Sequence, residues 1–133
     1  IGSHRHNAEI QQELSYIKKS IEFTFTPHIL PMFRGILSTI YLNYKSKANL
    51  NKIYNELRRF YMSHKFIKIL KNKALSTNDV INTNNCQISV CKSKDKKKLI
   101  ILSSIDNLIK GGAGQAVQNL NLIFNFKLNE GLK

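Results

Sequence analysis

The chain has 133 residues, 42% of them apolar, with 21 Lys and Arg against 8 Asp and Glu for a formal charge of +13. That length suits one compact core and hardly two, and the apolar share, with aromatics spread along the chain, argues against intrinsic disorder. There is no uncharged apolar run of the ~18 residues a membrane span needs and no signal-peptide pattern, so the expectation is a cytoplasmic protein without a membrane partner.

The first residue is Ile1 rather than Met, and residues 1–5 read as the end of a strand already under way, so a piece of something longer is expected. Residues 7–19 carry Ile10, Leu14 and Ile17 at helical spacing, with Asn7 as N-cap and Glu9 in the first turn, where the helix dipole favours a carboxylate. Glu22 to Thr26 alternate like a strand that Pro27 stops. His28 to Gly35, with a second proline, is a long loop. Residues 36–44 make the strongest strand.

Asn49 caps a helix running to about Met62, in which Leu50, Ile53, Tyr54, Leu57, Phe60 and Tyr61 share one broad face. Phe66 to Leu70 form a short strand. The polar, Asn-rich stretch 71–85 reads as a surface excursion with little regular structure and no usable motif. Residues 86–91 alternate again, 92–98 are a charged hairpin turn, and Leu99 to Ser104 are an apolar strand. A last helix starts just after Gly111-Gly112, with Ala113, Ala116, Val117, Leu120 and Phe124 on one face and a tail from Leu128. Strands outnumber helices and mostly pair through hairpins, which predicts an α+β fold: a largely antiparallel mixed sheet with helices on one face.

Cys86 and Cys91 stand five apart in a strand, so their side chains take opposite faces and both are expected to be free thiols of a reducing compartment. The positive charge is mostly lysine, scattered and accompanied by Asn and Ile, which reads as solvated surface rather than a nucleic-acid footprint. A small basic module for RNA or another polyanion is the competing reading. It requires exposed aromatics among the basic residues, whereas Tyr41, Tyr44, Tyr54 and Tyr61 fit core faces better.

Three groups of residues carry potential chemistry. In His4-Arg5-His6, side chains two apart on an extended segment point the same way, so both imidazoles face one cleft. The adjacent helix start disfavours imidazolium at His6 and keeps it able to accept a proton, with Glu9 one turn on to orient or counter it. The bland alternatives are a surface element or a metal-ligand pair, and two histidines without a third ligand are weak grounds for zinc, so no metal is expected. Gly111-Gly112-Ala113-Gly114 before a helix suits either close backbone approach to an anion or tight packing on a neighbouring domain. Its spacing is not the dinucleotide-binding fingerprint. Arg34 beside Gly35 is an anion clamp or an exposed loop arginine.

Three stretches resemble N-acetyl-gamma-glutamyl-phosphate reductases in order and spacing: Gly2-Ser3-His4-Arg5-His6-Asn7-Ala8-Glu9-Ile10; Phe25-Thr26-Pro27-His28 to Met32 with Arg34-Gly35-Ile36-Leu37; and Asp106-Asn107-Leu108 through Gln115-Ala116-Val117-Gln118-Asn119. The resemblance implies the C-terminal part of a two-domain enzyme related to aspartate-semialdehyde and glyceraldehyde-phosphate dehydrogenases. It implies reduction of N-acetyl-glutamyl 5-phosphate by NADPH to the 5-semialdehyde plus phosphate, a step of arginine biosynthesis, with the nucleophilic cysteine in a preceding domain and this piece inactive alone.

By the same resemblance His6 transfers protons with His4 sharing the task or touching substrate. Arg5, Glu9 and Arg34 are expected at the substrate. Asn107 is expected at the nicotinamide carboxamide, with Gly111 and Gly112 beside the cofactor. Residues 1–104 are then a partial substrate and oligomerisation domain of a homo-oligomer, dimer or tetramer, while 105–133 form a loop and helix that pack on the NADP-binding domain, where Ala113, Gly114 and Ala116 suit close approach. Departures from the family pattern are Phe33, where a polar residue is common, Gly112 in place of the usual alanine, and the basic turn Lys92 to Lys98. Cys86 lacks the glycine-flanked turn of a catalytic cysteine and is expected to serve packing.

Overall fold

The computed structural model describes residues 4–43 and 49–133. Of the strand end expected at residues 1–5, residues 1–3 lie outside the described residues, as does Tyr44, and Arg5 is already helical. Two compact units, Ile1–Met32 and Phe33–Lys133, are taken separately.

The first unit holds α1, His6–Ile17. The helix begins before Asn7, so Asn7 is not its N-cap; Arg5 is, in right-handed helical conformation and without a side-chain cap. His4 serves the helix start instead, its carbonyl accepting from the Asn7 N–H at 2.9 Å and its Nδ1 from the His6 N–H at 3.3 Å. Glu9 stands in the first turn as expected. The expected strand at 22–26 does not form. Ile21, Phe23 and Phe25 are half-buried and Glu22, Thr24 and Thr26 exposed, so the alternation correctly marks which side chains face inward, but a strand also needs a partner for its backbone groups, and among the described residues this segment forms no ladder.

The second unit is built on β1 (Ile36–Asn43), α2 (Leu50–Phe60), β2 (Ile67–Lys71), β3 (Cys86–Lys92), β4 (Lys98–Ile105) and α3 (Gly114–Ile123). The sheet order is β1-β4-β3-β2. β4 pairs antiparallel with both β1 and β3, while β2 runs parallel to β3. The fold is α+β with a largely antiparallel mixed sheet, as expected, but only the β3–β4 pairing is a hairpin.

Register sorts the side chains. Leu99 and Ile101 of β4, Val90 of β3 and Ile69 of β2 share one face, and α2 lies on it. Leu50, Val90 and Leu99 form the core there, flanked by Ile53, Leu57 and Ile101. Asn49 caps α2, its Oδ1 accepting from the Lys52 N–H at 3.0 Å, and Arg58 and Arg59 in the last turn suit the negative end of the helix dipole. Phe60, expected on the buried face, is exposed and meets Tyr61 and His64 edge-on or stacked.

The fold differs most from the expectation at residues 71–85, expected to be a surface excursion: Lys71 ends β2, and the rest is a crossover. Residues 72–85 cross the opposite face of the sheet: the Lys73 N–H donates to Ser89 Oγ at 3.2 Å, Ser104 Oγ donates to the Ser76 carbonyl at 3.3 Å, and Leu75, Val80 and Asn84 are buried. Composition misled because many of these side chains do stay exposed while the backbone beneath them is held by Ser89 and Ser104 of the sheet and Leu75, Val80 and Asn84 turn inward. A parallel β2–β3 pair cannot be joined by a tight turn, so its connection must cross a face. Cys86 and Cys91 take opposite faces and are both free, Cys86 beside Ser103 and Cys91 beside Ser89.

Leu99 is 2% exposed at the centre of this core, so Leu99→Ala is expected to cost about 2–5 kcal/mol in urea unfolding. Ile29→Ala, at a fully exposed side chain, should cost no more than about 0.5 kcal/mol. Comparable losses at the two sites would contradict this placement of the core.

Candidate active site

In the first unit the two histidines meet. Their ring centroids are 4.7 Å apart in a T-shaped contact, with Phe25 5.7 Å from His4 and 6.5 Å from His6. The geometry differs from the extended segment expected, because Arg5 is already helical; the rings converge through the first turn of α1. His4 Nδ1 is engaged by the His6 amide, which leaves only its Nε2 for another ligand, while His6 Nε2 stands 3.8 Å from Glu9 Oε2. Arg5 is exposed. Phe25, which closes one side of the pair, was not singled out in the sequence; its place in the half-buried alternation of 21–25 was the available signal.

In the second unit a polar cluster joins the loop before β1 to the turn after β4. Asp106 is completely buried. Its Oδ1 accepts from the N–H groups of Leu108 at 2.9 Å and Ile109 at 3.1 Å, and its Oδ2 from the Asn82 N–H at 2.8 Å. Arg34 Nη1 lies 3.4 Å from Asp106 Oδ2 and also donates to Asn82 Oδ1. Next along the chain, Asn107 Oδ1 accepts from the Gly35 N–H at 2.7 Å.

Gly35 has φ +109°, and an added Cβ would lie 2.7 Å from Thr77 Cβ, so both backbone and space demand glycine. Asn82 adopts φ 62°, a left-handed conformation that asparagine tolerates. Asn82 and Thr77 went unnoticed in the sequence because their partners lie on distant segments.

The glycine-rich stretch forms a single π-type turn, Ile109–Ala113, kinked at Gly112, before α3. Its amides are largely engaged within the chain: the Gly111 N–H donates to the Asp106 carbonyl, that of Ala113 to Leu108, that of Gly114 to Gly112 and Ile109. Gly111 and Gly112 are exposed beside Asn107. Gly114 is buried, and a Cβ there would come 2.5 Å from Ile109 Cγ2 and 2.6 Å from Asn84 Oδ1. α3 turns a polar stripe inward. Gln118 Oε1 accepts from Asn84 Nδ2 and Lys110 Nζ, both at 2.8 Å, and Asn121 is buried against the tail. Val117, Leu120 and Phe124 face out.

Burial pushes the Cys86 thiol up and the Lys110 ammonium down. A thiol raised in this way is a poor nucleophile, in keeping with a packing role for Cys86.

Residues 1–107 match the family described as semialdehyde dehydrogenase, dimerisation domain. The chain belongs to that family. An N-acetyl-gamma-glutamyl-phosphate reductase of Clostridium botulinum (strain Eklund 17B / Type B) is 48% identical over 99% of this chain and 39% of its own length. One of Campylobacter jejuni subsp. doylei is 44% identical over all of this chain and 40% of its own. The chain thus spans about two-fifths of the reductases it matches. Among solved structures, aspartate semialdehyde dehydrogenase II from Vibrio cholerae superposes with a TM-score of 0.55 at 16% identity over 72% of this chain and 29% of its own. That likeness bears on the fold, which is the dimerisation-domain fold. A small polyanion-binding module is not favoured.

Two outcomes follow from the cluster. Gly35→Ala should lower stability by roughly 1–3 kcal/mol from backbone strain alone, with more from the clash at Thr77, measurable by thermal unfolding; an unchanged midpoint would contradict the geometry. Burial opposes the Asp106 charge, but the N–H groups of Asn82, Leu108 and Ile109, with Arg34 beside them, hold its carboxyl below the usual carboxylate range. Its stabilisation is therefore complete above the unfolded-chain pKa of about 3.9 and is lost as pH falls through the lower folded value. The stability deficit of Asp106→Asn should be largest at neutral pH and shrink below about pH 4, and a deficit independent of pH would overturn that sign.

Proposed function

We propose that this chain is the C-terminal part of an NADP-dependent reductase that converts N-acetyl-glutamyl 5-phosphate to N-acetyl-glutamate 5-semialdehyde and phosphate in arginine biosynthesis. The carrying observation is the likeness along the whole chain to reductases of that name. The nucleophilic cysteine then belongs to the part of the relatives' length that this chain does not span, and the chain alone is inactive.

Within this reading His6 is the acid and base. It takes the thiol proton as sulfur attacks the acyl carbon and phosphate departs, and it handles the proton again at release, with Glu9 orienting its ring. His4, whose Nδ1 holds the His6 amide, contacts substrate through Nε2. Arg5 and Arg34 meet the substrate's anionic groups. The NADPH nicotinamide, when bound, supplies the hydride that makes the aldehyde.

The residues expected at the cofactor fit that group. Asn107 has its Oδ1 engaged by the Gly35 N–H, so its Nδ2 would be the donor to a nicotinamide carboxamide oxygen. Gly111 and Gly112 adjoin Asn107 without side chains to block approach. Residues 105–133 pack on the cofactor domain through the outward apolar face of α3, and residues 1–104 are the substrate and oligomerisation portion. The protein works as a cytoplasmic homo-oligomer, a dimer or a tetramer, with the exposed strand β1 at the subunit contact.

In the intact gene product, NADP-dependent, phosphate-requiring oxidation of N-acetylglutamate semialdehyde is expected, with kcat falling about 10²–10⁴-fold in His6→Asn and less in His4→Asn. No activity in the intact, folded protein would refute the assignment. A loss confined to His4→Asn would exchange the histidine roles.

A further inference from the structure

Among the described residues Asp106 is the one buried carboxylate, and the proposed chemistry gives it no part. Its two oxygens gather three segments: the loop carrying Arg34, the crossover at Asn82, and the turn at Leu108 and Ile109. Beside it the Gly35–Asn107 bond joins the same two loops a second time. Consecutive residues Arg34-Gly35 and Asp106-Asn107 thus face each other as a pair of rungs.

The chemistry of the pair is asymmetric. Three N–H donors and a guanidinium saturate the carboxylate, so it has no capacity left to receive a proton from a substrate. Arg34 retains capacity. Its Nη1 faces Asp106 and Asn82, its Nε is buried without an acceptor, and among the described residues nothing accepts from Nη2. A free arginine side chain samples many rotamers, whereas one held at Nη1 presents its remaining donors in a fixed plane, the arrangement suited to a carboxylate or phosphate.

We infer that Asp106 is a positioning residue that fixes the Arg34 guanidinium for the anionic substrate. The inference rests on the reading above that Arg34 meets substrate. A purely architectural Asp106 would change stability and leave substrate affinity alone.

The test is steady-state kinetics on the intact gene product, with KM for phosphate and for the semialdehyde followed separately from kcat. Arg34→Ala should raise one of these KM values about tenfold or more, Asp106→Asn should raise the same KM by a similar factor with a smaller change in kcat, and the double variant should be no worse than Arg34→Ala. A folded Asp106→Asn with unchanged KM, or effects that multiply in the double variant, overturns the inference while leaving Arg34 at the substrate. An Arg34→Ala without effect removes Arg34 from the substrate and the inference with it. Should Asp106→Asn fail to fold, Asp106→Glu, which keeps the charge and displaces it, is read by the same criteria.

Discussion

A carboxylate taken wholly out of water must be met by donors or it protonates, and Asp106 is met by three backbone N–H groups and the Arg34 guanidinium. Much else follows from that constraint. The donors come from the loop before β1, the crossover after β2 and the turn after β4, segments that no single pair of secondary elements would align. Gly35 can turn with φ +109° against Thr77 because the neighbouring rungs pin the loop, and the π-type turn into α3 starts where the carboxylate collects the amides of Leu108 and Ile109. Without the carboxylate, the N–H groups of Asn82, Leu108 and Ile109 would lose this acceptor, and a donor left buried and unpaired costs about 1–3 kcal/mol.

α3 shows a second constraint. An amphipathic helix ordinarily turns its apolar stripe to the core, yet this one presents Gly114, Gln118 and Asn121 inward and leaves Leu120, Ile123 and Phe124 exposed. The glycine allows the close approach that lets Gln118 and Asn84 bond, and Asn121 ties down the tail. β1 is exposed along its length, with Leu37 and Tyr41 among its outward side chains. Apolar surface on both elements is what a chain belonging to a dimerisation-domain family, and spanning about two-fifths of its reductase relatives, presents when described by itself.

The regular elements were legible in the sequence wherever one periodic face packs on one neighbour. α2 with its Asn49 cap, β1, β3 and β4 all fall at the expected places, since hydrophobic period and local capping chemistry determine them. The misses share a cause: partners distant in sequence. Glu22 to Thr26 alternates correctly but pairs with no strand among the described residues. Residues 72–85 are largely polar and many of them exposed, yet Leu75, Val80 and Asn84 turn inward, the Ser76 carbonyl accepts from Ser104 of β4 and Asn84 bonds Gln118 of α3. Tyr41, expected to be core, is exposed, since alternation along a strand says which residues share a face and not whether that face is covered. Among the candidate site residues, residue types singled out His4, His6 and Arg34, while Asn107 was implied only by the family resemblance. The Arg34–Asp106 pair was invisible, because nothing local links position 34 to position 106.

The division between the two histidines follows from the start of α1. A helix leaves its first amides without intrahelical acceptors, and with no side-chain cap at Arg5 the His4 ring and carbonyl take those of His6 and Asn7. A ring nitrogen held by a backbone amide is fixed in orientation and has only the opposite nitrogen for a ligand. His6 makes no such commitment; its Nε2 looks toward Glu9, and the His4 ring packs against its edge. The same capping bond that starts the helix therefore makes His4 the more constrained imidazole, and the proposal gives proton transfer to His6, whose Nε2 stands by Glu9.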